Sequence, residues 1–218
     1  QLFHYAQLLL TMNRQEAQYA TVGTPQKFWQ TWRDDEDGDD HIRPLVNQVM
    51  SEAEKTAVFS SEFSAAQTFF DALEEEGERT VTEQDRMIYA LCRRERLLDL
   101  IRRFTVFDGG VRKIARHQQY FGIKAAVDRV KQRDTKNIRK GGVIWHTQGS
   151  GKSLTMVMLG RALALDRGIS NPRIIIVTDR DDLDKQIRGT FKSCELDPVR
   201  ATSGTNLVEQ IENKTPLI

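Results

Sequence analysis

The chain has 218 residues, of which 39% are hydrophobic and 29% charged, the balance of a globular protein with one large domain or two modest ones. The net charge of +1 provides no overall basic field, so any nucleic-acid contact has to use local lysines and arginines. Two cysteines, Cys92 and Cys194, exclude a disulfide framework and are typical of a reducing cytoplasm, and no apolar run approaches the roughly 18 residues that a membrane helix needs.

The first part of the chain carries strand patterns and then an acidic run. Two apolar stretches, 2–10 and 19–22, flank a polar turn at 13–16 and predict two strands. The acidic run 34–40 is too charged to be buried and predicts a mobile loop. Arg33 stands at the first ligand position of the calcium loop that this run resembles, so an EF-hand is excluded.

From Leu45 to about Phe104 the apolar residues follow a helical period. One helix is predicted over 64–73, with a stop at Gly77. Its apolar face comprises Ala65, Ala66, Phe69, Phe70 and Leu73. A second helix is predicted over 83–104, and the residues expected to be buried are Leu91, Leu97, Leu98 and Ile101. We interpret its arginines as a solvated face with local salt bridges, with a DNA-facing surface as the alternative.

Beyond the turn at 108–110 the pattern changes to alternating helices and strands. The predicted elements are a helix at 111–131, a buried strand at 141–145, a helix at 153–166, a strand at 173–178, a helix at 181–191, a strand at 199–202 and a helix at 205–213. This alternation predicts βαβ units with a parallel sheet, which is the α/β class. We place a domain boundary near Gly109.

Neither end of the sequence has the pattern of a natural terminus. The start lacks a methionine and a basic signal region, and residues 215–218 are typical of a strand that is just beginning. We therefore expect a fragment of a longer protein.

A glycine-rich loop between the strand at 141–145 and the following helix carries the chemistry. Its residues are His146, Thr147, Gln148, Gly149, Ser150, Gly151, Lys152 and Ser153, which match the phosphate-binding pattern G-x-x-x-x-G-K-[ST] except at the first position. The glycines allow backbone N–H groups to surround a phosphate at the positive end of a helix. Lys152 supplies a charge for the β- and γ-phosphates, and Ser153 supplies a hydroxyl ligand for Mg²⁺.

Other interpretations of this loop are weaker. A glycine-rich turn with a surface lysine is the alternative to nucleotide binding, and a dinucleotide-binding loop is excluded because Leu154 stands where its third glycine belongs. His146 is interpreted as the end of the strand, with a catalytic base as the alternative.

The segment from Trp145 to Ser153 resembles motif I of superfamily 2 helicases, and more narrowly that of the restriction (R) subunits of type I restriction-modification enzymes. The block 114–122 resembles the segment ahead of the motor in that family. The resemblance implies that Gln119, with Gln118 as second choice, lies near the adenine of ATP, since an amide can bond both the exocyclic amine and a ring nitrogen. The alternative is that both glutamines lie on the surface of the helix.

The segment 174–186 resembles motif Ia of the same family, a strand followed by Asp-Arg, Leu and Gln. The resemblance places Thr178 and Arg180 at the binding edge of the sheet, where either residue is expected to contact a DNA phosphate. The alternative is that Thr178 and Asp179 cap the next helix.

The resemblance covers most of the chain and implies a division into three parts. Residues 1–33 are the remainder of an upstream nuclease-side domain, 34–108 are the acidic loop and a helical connector, and 109–218 are the first part of a RecA-like motor lobe with a parallel sheet flanked by helices. The nuclease residues, the Asp-Glu box and the arginine finger of the family are expected outside this chain. By itself the chain is expected to turn over ATP very slowly or not at all.

The function implied is ATP-dependent translocation of duplex DNA coupled to cleavage, with Lys152 as the catalytic group and ATP and Mg²⁺ as cofactors. The implied partners are DNA and the methylation and specificity subunits, with no membrane, in the cytoplasm. The alternatives are a lobe of another superfamily 2 helicase or remodeller, and a non-motor ATP-binding scaffold. A small-molecule kinase is disfavoured, because the segment 178–186 has no use in one.

Overall fold

A computed structural model describes residue 3 and residues 5–34, 38–59 and 63–218. The chain divides into two compact units, one made of residues 1–9, 20–30 and 97–218 and the other of residues 10–19 and 31–96. The described elements make a mixed α/β protein. In chain order they are β1 (Leu9–Met12), β2 (Ala17–Ala20), a 3₁₀ turn (Gln26–Phe28), α1 (Asp39–Val46), α2 (Glu52–Val58), α3 (Ser64–Glu75), α4 (Glu83–Cys92), α5 (Arg94–Arg103), β3 (Thr105–Asp108), β4 (Val111–Ile114), α6 (His117–Lys131), α7 (Lys152–Leu165), α8 (Asp181–Ser193) and α9 (Gly204–Glu212).

The core of the larger unit lies where α6 packs on α7 and α7 on α8. Its fully buried side chains include Tyr120 and Ile123 of α6, Val157 and Met158 of α7, and Phe191 of α8. Helices α7, α8 and α9 were expected from the sequence and are confirmed to within two residues at each end. Leu165, the last residue of α7, is 51% exposed.

A hairpin of β3 and β4 precedes α6. The turn predicted at 108–110 is confirmed: Gly109 and Gly110 both have positive φ, which the tight hairpin turn between Asp108 and Val111 requires. The helix predicted from Val111 is wrong over its first residues, because 111–114 pair antiparallel with 105–108. The turn is held against α8, since Gly109 N–H donates to Ser193 O at 2.9 Å.

The predicted parallel sheet is present only as isolated pairings. Ile174 and Leu217 form a parallel bridge, and Val199 N–H donates to Leu217 O at 3.1 Å. The described residues at 141–145 form no strand, and Val143 and Trp145 are each 89% exposed. The prediction of a buried strand there is wrong in this structure, because a buried strand needs hydrogen-bonded neighbours and cover on both faces.

The smaller unit contains most of β1 and β2 and is otherwise helical among the described residues. The two predicted strands are confirmed as elements but lie at 9–12 and 17–20, and residues 1, 2 and 4 of the first predicted stretch lie outside the described residues. Tyr19 packs edge-on against Trp32, with ring centroids 5.6 Å apart. Both rings therefore belong to the core of this unit.

Helix α1 packs on α4, and an ion pair between Asp39 and Arg86 at 2.8 Å joins them. Asp39 and Asp40 therefore belong to a helix and not to a loop, which corrects the end of the predicted acidic loop, while residues 35–37 lie outside the described residues. Asp34 forms an ion pair with Arg96, and both side chains are buried. This pair confirms a local salt bridge for one of the arginines.

Helix α3 begins at Ser64 as predicted, but the helix predicted over 83–104 is broken. Arg93 has extended backbone angles between α4 and α5. The break shifts the buried face of the second half, so Leu98 is 40% exposed while Leu100, which was not predicted, is fully buried. Within the described part of the chain, no helix combines the length and the apolar character that a membrane crossing requires.

The start of α4 is a capping box tied to an arginine. Asp85 accepts hydrogen bonds from Thr82 Oγ1 at 2.6 Å and from the Thr82 N–H at 2.9 Å, and Arg79 donates to both of its carboxylate oxygens. The bonds from Arg79 are the largest influence on this carboxyl and, with those from Thr82, they outweigh the effect of burial and lower the pKa of Asp85 to about 2.

We predict that Asp85→Asn lowers the free energy of unfolding at pH 7 by about 1–2 kcal/mol, because it removes the cap and the ion pair. A lowered pKa gives stabilisation that is fully present above the ordinary value of 3.8 and is lost as the pH falls through about 2. Urea unfolding followed by circular dichroism should therefore show a loss that shrinks below about pH 4. Glu78→Gln, at an exposed carboxylate, is the control, and an equal loss at every pH would contradict the assignment.

Candidate functional site

The glycine-rich loop 146–153 leads directly into α7. Gly149 has φ +77° and Gly151 has φ +83°, and Gly151 is the residue that caps α7. Left-handed backbone of this kind favours glycine, so the two glycines predicted to shape the loop do so. The first backbone N–H groups of α7 have no partner within the helix and lie at its positive end. The loop can therefore bind an anion.

Gln119, near the start of α6, holds this loop in place through buried hydrogen bonds. Its side chain is 4% exposed, and its Nε2 donates to Thr155 Oγ1 at 3.1 Å, Gly151 O at 3.3 Å and Ser150 O at 3.4 Å. Its Oε1 accepts from the Arg116 N–H at 2.9 Å. The amide thus joins the start of α6 to the loop and to the first turns of α7.

Gly151 has a second reason to be glycine. A Cβ at this position would lie 3.0 Å from Nε2 of Gln119, which is closer than side-chain carbons normally approach. Any larger residue would push the amide away from the loop as well as strain the backbone. Gln119 and Gly151 are therefore complementary in shape.

Lys152 folds back over the loop. Its Nζ donates to His146 O at 2.8 Å and to Thr147 O at 2.7 Å, and Thr147 O also accepts from Ser150 Oγ at 2.7 Å. The residue is exposed, and these carbonyl oxygens take the place that phosphate oxygens would take beside the ammonium group. The lysine predicted to contact phosphate is therefore at the loop and accessible.

The remaining predicted residues fall into two groups. Gln148 is exposed on the loop and Ser153 lies in the first turn of α7, so the structure brings both together with Gly149 to Lys152 and Gln119. Thr178 and Arg180 lie on a different segment, immediately before α8, and line a groove of mixed charge there with Arg188 and Arg200. Arg200 is paired in that groove with Asp181 and Asp184, each at 3.0 Å.

The alternative of a helix cap at 178–179 is wrong. Arg180 occupies the N-cap position of α8, and no side chain makes a capping hydrogen bond there. The Arg180 side chain is 80% exposed and approaches only Asp179, at 3.8 Å, among the ion pairs of the described residues. Arg180 is therefore accessible for contact with another molecule.

His146 does not end a strand in this structure, because no strand is present at 141–146 among the described residues. Its imidazole faces α6, where a Cβ built at Gly122 would lie 3.8 Å from Nε2. Its buried Nδ1 has no hydrogen-bond partner among the described residues. The geometry gives it contact with α6 and leaves the catalytic-base alternative without support.

Two features of the site were missed at the sequence level. Thr155 is 5% exposed, accepts from Gln119 and donates to Gly151 O at 3.2 Å, so it completes the support of the loop. The sequence feature that could have indicated Thr155 is its position four residues after Gly151, on the same face of α7. Asp166, at the far end of α7, is buried and accepts from Lys131 Nζ at 2.8 Å.

The Asp166–Lys131 pair fixes the other end of the α6–α7 packing. Burial by itself raises the pKa of Asp166, but the hydrogen bonds from Lys131 and from the Gly168 N–H reverse this and hold the pKa below its ordinary value. The carboxylate is therefore charged at neutral pH and paired. Helices α6 and α7 are thus joined by polar contacts at both ends, Gln119 at one and Asp166 at the other.

Comparisons with known proteins match the part of the chain that contains this site. The family model described as SWI2/SNF2 ATPase matches residues 118–218, which include the loop and α7 to α9. The chain is 41% identical over 117 residues to the type I restriction enzyme HindI endonuclease subunit of Haemophilus influenzae, covering 51% of this chain and 11% of that protein. It is 28% identical over 223 residues to the putative type I restriction enzyme MjaIXP endonuclease subunit of Methanocaldococcus jannaschii, covering 99% of this chain and 19% of that protein. The chain thus spans less than a fifth of the length of either relative.

We predict that Gln119→Ala lowers the free energy of unfolding by about 1–3 kcal/mol, because the Arg116 N–H and the Thr155 hydroxyl lose a buried partner. The neighbouring Gln118 is exposed, so Gln118→Ala is the matched control and should change stability by less than about 0.5 kcal/mol. Urea unfolding of the three proteins measures both values. Equal stability of the two variants would contradict a supporting role for Gln119.

Proposed function

Since the chain belongs to the family of the endonuclease subunits of type I restriction enzymes, we propose that its loop 146–153 binds the ATP that drives translocation of duplex DNA by the parent protein. The observation that carries the proposal is the left-handed Gly149 and Gly151, with Lys152 and the start of α7 directly behind them. The SWI2/SNF2 ATPase match over the same residues supports nucleotide use.

In this proposal the residues of the loop divide the work on the phosphates. Lys152 leaves the carbonyl oxygens of His146 and Thr147 and neutralises the β- and γ-phosphates, and the backbone from Gly149 to Ser153 donates hydrogen bonds to them. These donors are already oriented by the turn and by α7, so little reorganisation is required. Stabilisation of charge on the γ-phosphate is the catalytic contribution of Lys152.

The metal and base contacts are finer proposals on the same site. Ser153 would hold Mg²⁺ through its hydroxyl, and the exposed Gln148 flanks the phosphates. The metal supplies neutralisation of phosphate charge when bound. For the adenine, Gln119 is the first choice from the resemblance, but it would have to exchange its bonds to Ser150, Gly151 and Thr155 for the base. The exposed Gln118 is the second choice, and its amide is accessible.

We also retain the proposed organisation around the site. Residues 109–218 would be the first part of a RecA-like lobe, in which 173–178 and 199–202 are strands of a parallel sheet. The parallel bridge between Ile174 and Leu217 supports this arrangement. Residues 1–33 would belong to a nuclease-side domain and 34–108 to a connector.

Beyond ATP, we propose DNA and two protein partners for the parent protein. Thr178 and Arg180 would contact a DNA phosphate at the carboxyl end of the segment 173–177, and the 80% exposure of the Arg180 side chain supports this. The family of the chain supports assembly with methylation and specificity subunits and coupling of translocation to DNA cleavage. The match across nearly the whole chain favours this function over another helicase, since it includes residues ahead of the motor segment.

We predict that Lys152→Ala weakens binding of a fluorescent ATP analogue in Mg²⁺ by about ten- to a hundredfold, because a charge-assisted phosphate contact is lost. Lys185→Ala, which removes an exposed lysine of α8, is the control and should bind like the wild type. Fluorescence titration of the three proteins measures the affinities. Equal binding by Lys152→Ala and the wild type would reject the loop as the phosphate site.

A second prediction concerns Arg180 and DNA. Arg180→Ala should reduce affinity for a labelled duplex and lower the slope of log K against log salt by about one, because one phosphate contact is lost. Arg167→Ala, at an exposed arginine after α7, is the matched control. Fluorescence anisotropy between roughly 50 and 200 mM salt gives the slopes. If the slope does not change, Arg180 makes no phosphate contact.

A further inference from the structure

Helices α2 and α3 of the smaller unit form a pair with an uncovered aromatic face. Val58, Phe63, Phe69 and Phe70 are between 45% and 62% exposed, and we call these four residues the aromatic face. The pair is internally ordered, since Phe59 contacts Phe70 at a centroid distance of 5.2 Å and Phe70 contacts Phe69 at 6.0 Å. Neither helix has a buried residue among those described.

The size of this face exceeds what scattered surface residues produce. A fully exposed aromatic side chain presents roughly 150–250 Å², so three phenylalanines at about half exposure offer on the order of 300 Å² of apolar surface. Patches of about 300–600 Å² are the largest on ordinary monomers and are often functional. The apolar residues whose spacing predicted α3 therefore form a face that no described residue of the smaller unit covers.

The charge around the face is strongly one-sided. Residues 52–78 contain eight acidic residues and one basic residue, Lys55. Lys55 is neutralised by Asp71 and Glu74, each at 2.9 Å, and these hydrogen bonds raise its pKa far above the ordinary value. The remaining described carboxylates of the segment are exposed, namely Glu52, Glu54, Glu75, Glu76 and Glu78. The face is therefore apolar with an acidic border.

We infer that the aromatic face binds an amphipathic helix of a partner protein whose apolar side is bordered by lysine or arginine. The acidic border repels nucleic acid, anionic lipid and a second copy of the same face, because each brings further negative charge to within a Debye length, about 8 Å at physiological salt. A basic amphipathic helix satisfies both features at once, with apolar residues on the phenylalanines and cations on the glutamates. This surface is separate from the proposed ATP site and does not rest on it.

The test uses the 218-residue chain and two synthetic peptides of about 18 residues, long enough for five helical turns. One peptide has leucine on one side and lysine on the other, and the second has glutamate in place of lysine. Fluorescence anisotropy of the labelled peptides is expected to show at least tenfold tighter binding of the lysine peptide. Its binding should weaken severalfold between roughly 50 and 300 mM salt.

Two sets of variants locate the binding. The double variant Phe69→Ser/Phe70→Ser should lose at least tenfold in affinity for the lysine peptide, whereas Phe28→Ser, at a phenylalanine that is 53% exposed in the larger unit, should bind like the wild type. The triple variant Glu75→Lys/Glu76→Lys/Glu78→Lys should reverse the preference in favour of the glutamate peptide. Misfolding cannot produce such a reversal, so the triple variant keeps the test decisive if the double variant fails to fold.

Four outcomes would overturn the inference. They are equal binding of the two peptides, an unchanged preference in the triple variant, direct binding of a labelled duplex DNA that Phe69→Ser/Phe70→Ser abolishes, and a wild-type dimer in sedimentation that Phe69→Ser/Phe70→Ser converts to a monomer. The last result would assign the face to a second copy of the chain.

Discussion

The loop at 146–153 depends on one buried amide. The side chain of Gln119 lies between α6 and α7. Its Nε2 donates to Ser150 O, Gly151 O and Thr155 Oγ1, and its Oε1 accepts from the Arg116 N–H. A buried amide that lost these partners would cost about 1–3 kcal/mol, so the loop and the two helices favour one relative position. The loop is thereby positioned before any ligand is bound.

This support explains why a loop of glycines and small polar residues can be shaped and yet accessible. Gly149 and Gly151 turn the backbone, Thr155 and Gln119 hold it from below, and Lys152 remains on the exposed side against two carbonyl oxygens. An ammonium group that is bonded to neutral carbonyl oxygens readily exchanges them for phosphate oxygens, because charged oxygens bind it more strongly. The backbone of the loop is therefore preorganised, while the side chain of Lys152 can change partners when a ligand binds.

The smaller unit uses charge differently from the loop of the larger unit. The loop presents the exposed ammonium group of Lys152, whereas the α2–α3 pair carries exposed carboxylates beside its phenylalanines. The overall net charge of +1 conceals this separation, because the acidic segment and the basic residues elsewhere cancel. Two surfaces of opposite character suit two different kinds of partner.

The sequence by itself determined the features that depend on neighbouring residues. The glycines of the loop and of the turn at 109–110 and the bounds of α3 and α7 to α9 were available from local pattern, because backbone freedom and helical period are set within a few residues. The roles of Lys152 and Ser153 toward ATP remain predictions from that pattern, and the role of Gln119 remains a prediction from the resemblance.

Only the tertiary structure decided where the amide of Gln119 points, since its partners at Ser150 and Gly151 lie 31 and 32 residues away. It also decided that the helical pattern at 83–104 breaks at Arg93, that 111–114 form a strand, that 141–145 are exposed and that the apolar face of α3 is uncovered. These outcomes depend on which distant segments supply hydrogen bonds and cover apolar surface, and a local pattern carries no information about them.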